Sequence, residues 1–208
     1  MGIVVHVVDS TILSDTNRFK EYSTKADNDV VVQIGAMCNG VVQAISQVRR
    51  NTRYDSIDVM IIYGHGAGGV QGVTMGKDGR GAKEMAAITV DTLDDPALQA
   101  ELQMLSPNFT ATGVIVLHGC NVAEGGKGLD LIKKLAKITG LPVKGSDWYQ
   151  IVGRSDLAGN ILTATPTGAV TEDSKTGLKN LGGLPPGEGL LLLGVEFGDR
   201  MLRRFGFK

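Results

Sequence analysis

Short apolar runs rich in Val and Ile recur along the chain at residues 3–8, 58–63 and 113–117, with further candidates at 30–34 and 141–144. Runs this short, apolar on both faces and closed by Gly, Asp or His, predict strands buried within a parallel sheet. Between them the apolar period lengthens to that of a helix. Residues 37–50 place Cys38, Val41, Ile45 and Val48 on one stripe. Asp95 ahead of Pro96 is a helix start, with Leu98, Leu102 and Leu105 following at helical spacing. Residues 129–139 turn Ile132, Leu135, Ala136 and Ile138 inward and Lys133, Lys134 and Lys137 outward, and Gly140 stops the helix. Alternation of strand and helix predicts an α/β domain. Beyond residue 150 the pattern shifts to short strands at 160–164 and 168–171. A linker-like LGGLPPGEG follows at 181–189, then a basic-tipped helix at 190–208 with Arg200, Arg203, Arg204 and Lys208. The expected organisation is one domain over residues 1–180 and an appendage over 181–208. That appendage docks on the sheet or contacts a partner or membrane surface.

Composition narrows the function classes. With 21 Lys+Arg against 22 Asp+Glu among 208 residues, there is no basic excess for tracking a nucleic-acid backbone. The 29 glycines, about double the usual share of ~7%, lie between apolar runs and read as turns, not as a low-complexity tract. Two cysteines make neither a disulfide framework nor a four-thiolate zinc site. No cleavable leader is visible and no uncharged apolar stretch reaches about 18 residues. The expectation is a soluble protein, cytoplasmic or exported as an effector without a classical signal peptide.

Two motifs carry chemistry. One is Ile61-Ile62-Tyr63-Gly64-His65-Gly66, and the other is Val114-Ile115-Val116-Leu117-His118-Gly119-Cys120-Asn121. Each is an apolar strand ending in a reactive residue flanked by glycine. Open α/β sheets bind ligands at the carboxyl ends of their strands. If the two strands are neighbours, His65 and Cys120 emerge together there, where an imidazole can activate a thiol. The amides of Gly66 and Cys120 could then converge on a substrate carbonyl as an oxyanion hole.

These blocks resemble the caspase-like (clan CD) cysteine peptidases, in which a hydrophobic strand ends in His-Gly and a later one ends in Cys. Here the two reactive residues stand 55 positions apart. The likeness spans residues 3–149, and the stretch after Cys120 is similar to bacterial members such as gingipain-like proteins and toxin self-cutting domains. It implies a three-layer sandwich with a mainly parallel central sheet and helices on both faces. It further implies a His65/Cys120 dyad, an oxyanion hole at Gly66 and Cys120, a thioester intermediate, and no cofactor or metal. His118-Gly119 replaces the Gln-Ala or Glu-Ala of caspases and legumains. By family position His118 lines the substrate pocket, with Asp147 as a selector of basic residues and Trp148 as an apolar wall. The basic density that would bind an inositol phosphate activator is missing. The substrates expected are peptides or proteins, and the basic, flexible stretch 76–81 is a candidate for self-cutting.

Plainer readings stand beside these. His65 can be a turn histidine, Cys120 an inert thiol, and the whole an inactive effector or peptide-binding module of the same fold. Cys38 and His6 read as core. Gly64-His65-Gly66-Ala67-Gly68-Gly69 matches a dinucleotide fingerprint in form, but the residues after Gly69 cannot open a helix. Gly125-Gly126-Lys127 lacks the Ser or Thr of a phosphate loop, and no G-x-S-x-G elbow occurs. His65, His118 and Cys120 are zinc-type ligands without a further acid or a zinc spacing pattern.

Overall fold

A computed structural model describes residues 2–9, 29–35, 38, 40–72, 86–150 and 156–174. The predicted apolar runs form strands β1 (Ile3–Asp9), β2 (Val30–Ile34), β3 (Ile57–Tyr63), β7 (Phe109–His118) and β8 (Val143–Ser146). Three short strands intervene: β4 (Gly66–Ala67), β5 (Val70–Gly72) and β6 (Ala87–Thr89). The late strands are β9 (Asn160–Ala164) and β10 (Val170–Ser174). Helices α1 (Gly40–Asn51), α2 (Pro96–Leu105) and α3 (Gly125–Thr139) link the main strands.

Seven strands make one sheet in the order β10-β9-β8-β7-β3-β1-β2. From β2 to β8 every neighbouring pair is parallel, while β9 and β10 are added antiparallel. The protein is therefore α/β with a mainly parallel sheet. The chain visits β2 on one side of β1 and then returns to β3 on the other, which is the reversal that opens a crevice at the carboxyl edge. β4, β5 and β6 form a separate antiparallel sheet that caps this edge directly after β3.

The helices follow from their apolar stripes. Val41, Ala44, Ile45 and Val48 of α1 are at most 2% exposed, and burying each valine or isoleucine side chain contributes about 1.5–3 kcal/mol. Asp95 caps α2, accepting from the amides of Ala97 and Leu98, with Pro96 in the first turn where no amide partner is needed. Together with α3 they cover one face of the sheet through a continuous core containing Val7, Met60, Ile62, Ile115 and Leu117. On the opposite face Val8, Ile61, Tyr63, Val116, Leu157 and Ile161 form a second cluster. The helix layer implied for that face lies outside the described residues, as do the stretch 76–81 and the appendage 181–208. Among the described residues no helix is long and apolar enough to cross a membrane.

Three local expectations need correction. Cys38 is not on the stripe of α1. It forms a parallel bridge with Ile34, and its carbonyl accepts from Gly35 N–H at 2.7 Å, which ties it to the end of β2. It is buried nonetheless, at 8% exposure. The third helix starts at Gly125, one turn earlier than the leucine pattern indicates. The low helix propensity of its glycines is overridden by packing, since a side chain at Gly128 would meet the Ala123 backbone. Lys134 is not simply solvated. It pairs with Asp94 at 2.7 Å and donates to Val90 O at 2.7 Å, fastening α3 to the turn before α2.

Candidate active site

β3 and β7 are adjacent and parallel, with Ile62 opposite Leu117 and Tyr63 opposite His118. Continuing two residues past each strand end brings the chain to His65 and to Cys120. The two motifs thus finish side by side at the same edge of the sheet, on the loops that leave neighbouring strands.

The turn around Cys120 is packed tightly against the chain at Gly66. A Cβ on Gly66 would lie 2.5 Å from Cys120 O and 2.6 Å from Cys120 N. One on Gly119 would lie 2.9 Å from Gly66 Cα. Real Cβ atoms do not approach this closely, so both positions require glycine for contact. The hydrogen bond from Gly72 N–H to His65 O, at 2.7 Å, makes His65 and Gly72 the bonded pair of the β4–β5 hairpin. Ladder alternation then turns the Gly66 amide away from β5. The hairpin also clasps the loop beyond the cysteine, Gly69 N–H donating to Val122 O at 3.0 Å.

Beyond Cys120 the chain bends sharply. Asn121 adopts a left-handed φ of 56°, a conformation Asn tolerates better than most residues. The Asn121 amide donates to Trp148 O and the Ala123 amide to Ser146 O, both at 3.0 Å, so the loop after β8 is laid along the cysteine turn. From that loop the Gln150 amide donates to Cys120 Sγ at 3.4 Å. Gln150 is itself clipped in place, its side chain donating to Trp148 O at 2.7 Å and accepting from Ala158 N–H at 3.0 Å. Burial pushes the Cys120 thiol above the ordinary cysteine range, and the Gln150 amide offsets this only in part. The resting sulfur is therefore a neutral thiol that needs a base to react.

The pocket residues separate. Trp148 is half exposed beside the Cys120 turn, its ring edge-on to Tyr149. Asp147 is not an open carboxylate facing solvent. Its Oδ1 accepts from Asn160 N–H at 3.0 Å and its Oδ2 from Asn160 Nδ2 at 2.8 Å, which fixes the loop to the start of β9. His118 is 5% exposed and lies with its ring 5.0 Å from that of Tyr63, on the apolar second face. Two residues before the cysteine it is still inside the strand, and strand alternation turns its side chain inward. Burial lowers its pKa, against smaller opposing influences from its own backbone and from Asp156, so the ring is neutral. His6 is also buried, with Nδ1 3.1 Å from the Tyr63 hydroxyl and Nε2 3.4 Å from Asp29. Among the described residues no cluster of three or more His, Cys, Asp or Glu is arranged to hold a metal ion.

Two residues packed at this turn are not evident from sequence. Gln150 lies beyond both motifs and acts through its main chain. Gln71 lies in the glycine-rich run after His65, is fully buried in β5, and abuts Gly119. A polar side chain between glycines, Gly-Gly-Val-Gln-Gly, was the one signal available for it.

Residues 5–181 match the model of a family described as a domain of unknown function, DUF4347, and the chain belongs to that family. No curated protein and no solved structure matches the chain.

Proposed function

We propose that this DUF4347 domain is a caspase-like cysteine endopeptidase with a His65/Cys120 dyad. The single observation that carries the reading is the parallel pairing of β3 with β7, which ends both motifs at one edge with Gly66 seated on the Gly119–Cys120 turn. A three-layer caspase-like sandwich is part of the same proposal.

In this reading His65 takes the proton from Cys120 Sγ as the sulfur attacks the scissile carbonyl. The tetrahedral oxyanion accepts hydrogen bonds from the amides of Gly66 and Cys120, each such donor contributing about 3 kcal/mol. His65 returns the proton to the departing amine as the C–N bond breaks, leaving a thioester on Cys120. Water, deprotonated by His65, attacks the thioester and the protonated thiol is restored. The Trp148 ring supplies an apolar wall for the substrate, which is a peptide or protein. The buried His118 supports this edge from below the strand ends.

A second reading is favoured by the partial burial of Cys120 and the Gln150 amide on its sulfur. It is a peptide-binding module of the same fold that does not cut. The two part in one experiment. The intact protein is exposed to a peptidyl acyloxymethyl ketone and to unlabelled peptide mixtures. A peptidase labels at Cys120 in preference to Cys38, cleaves peptides, and loses both properties in H65A and C120A. Binding without labelling or cleavage selects the module.

A further inference from the structure

We propose that Gln71 is a positioning residue for the Cys120 turn, a carboxamide wedged between the ends of β3 and β7 that sets how the thiol meets His65. The inference rests on the proposed dyad and adds to it a residue outside both motifs.

Gln71 is fully buried in β5 and stands directly opposite Gly66 in the hairpin. Opposed residues of an antiparallel pair project to the same face. Gly66 carries no side chain there, so the Gln71 carboxamide passes over it to the strand ends. A Cβ on Gly64 would lie 2.7 Å from Nε2, and one on Gly119 would lie 2.8 Å from Oε1. One amide group therefore spans from the residue before His65 to the residue before Cys120.

Its orientation is fixed by chemistry. Nε2 donates to Gly72 O at 3.2 Å, and the amide of that same Gly72 donates to His65 O at 2.7 Å. With its donor end committed to the strand that holds His65, the acceptor end faces the Gly119 turn. There Oε1 is buried without a hydrogen-bond partner among the described residues. An apolar side chain of similar length would fill this space without that penalty, since replacing a buried unpaired polar group by an apolar one is neutral or favourable for stability. The unpaired atom is also not isolated. Among the described residues His118 Nε2 and Asn121 Oδ1 are likewise buried without partners, and their residues flank the Gly119–Cys120 pair. Buried polar groups kept at a cost to stability concentrate where function, not folding, selects them.

The test is a double-mutant cycle on the full chain, comparing the parent, H65A, Q71M and Q71M/H65A. Iodoacetamide alkylation of Cys120 near neutral pH is followed by mass spectrometry, and thermal unfolding is recorded for each. In the parent, H65A slows alkylation about 100-fold, the scale of general-base assistance. Q71M melts at or above the parental temperature yet alkylates about tenfold more slowly, a small displacement being enough for such a loss. In that background H65A costs far less than in the parent. A slower Q71M with the His65 factor intact marks Gln71 as filler and overturns the proposal, as does a parental rate. Slowing by Q71M where H65A has no effect removes the dyad and with it any role of Gln71 through His65. No change with either substitution removes both.

Q71E gives an independent arm should Q71M not fold. Its protonated carboxyl keeps the shape of the carboxamide, so alkylation is near parental, on a His65-dependent scale, at acid pH. Relative to the parent at the same pH, it falls as the buried carboxyl ionises beside the thiol. A Q71E profile that tracks the parent at every pH overturns the proposal.

Discussion

Tyr63 and His118 stand opposite one another in adjacent parallel strands, their rings 5.0 Å apart and inclined at 42°. That pair is the last rung shared by β3 and β7 before the chain enters the two reactive loops. It fixes the separation of the strand ends from beneath and keeps both rings out of water. The loops above inherit their spacing from it.

The contact between Gly66 and Cys120 leads to a sharp expectation. Adding a methyl group in G66A forces its Cβ against the Cys120 backbone at 2.5–2.6 Å, which only a main-chain shift relieves. Such overpacking costs about 1–3 kcal/mol. Chemical denaturation should show a loss in that range, accompanied by loss of Cys120 labelling with the peptidyl probe. Unchanged labelling would mean that the Gly66 amide is not part of the site.

The thiol itself gives a pH prediction. Burial raises the Cys120 pKa, so the neutral form predominates in the resting protein at neutral pH. In H65A, which has no general base, iodoacetamide alkylation of Cys120 should climb with pH and reach half its plateau above the value for a free cysteine, ~8.5. In stability terms the folded state keeps its proton longer than the unfolded state. The protein therefore loses stability as pH rises through the unfolded thiol pKa towards the folded one. A midpoint below the free-cysteine value would show that the Cys120 surroundings favour the thiolate.

His118 acts at the other end of the scale. Its pKa is lowered by burial, while the unfolded imidazole takes up a proton near pH 6.5. Between those values the unfolded state binds more protons, so stability falls as pH drops below about 6.5 and is untouched above it. In H118F, which keeps a ring against Tyr63, unfolding curves between pH 5 and 7 should depend less on pH than those of the parent. An equal dependence would place the acid-sensitive group elsewhere.

Asp147 offers a test of structure against specificity. Its two carboxylate oxygens hold the Asn160 main chain and side chain. D147A should cost about 1.5–3 kcal/mol, the scale for hydrogen bonds to a charged group, read by urea unfolding. If Asp147 also selects basic residues before the cut, profiling with a peptide library will show that preference vanish. Destabilisation with an unchanged profile would confine Asp147 to holding the loop.

Much of the fold was readable in order along the chain. The runs that became β1, β2, β3, β7 and β8 are short, β-branched and apolar on both sides, and no alternative element buries such runs so well. The α2 start was explicit in Asp95-Pro96, because a capping carboxylate and a residue without an amide proton suit that position alone. The glycine-rich start of α3 was not legible, since its propensity favours a loop and only the close approach of Gly128 to Ala123 makes it a helix. Neither was the inward turn of His118. The motif presents it two residues before the cysteine, but the strand runs through it and strand alternation hides the ring.

What the sequence determined by itself is the set of elements and the two glycine-flanked residues at strand ends, because local propensity, capping and hydrophobic period act over a few neighbours. The tertiary structure alone decided that β3 pairs with β7, that Gly66 rests on the Cys120 turn, that Asp147 is held by Asn160, and that Gln71 reaches between the two loops. Those are choices among hydrogen-bonded partners and packed surfaces far apart in the chain. They are settled by which arrangement buries the most apolar area with its polar groups satisfied, and no short window of residues contains that comparison.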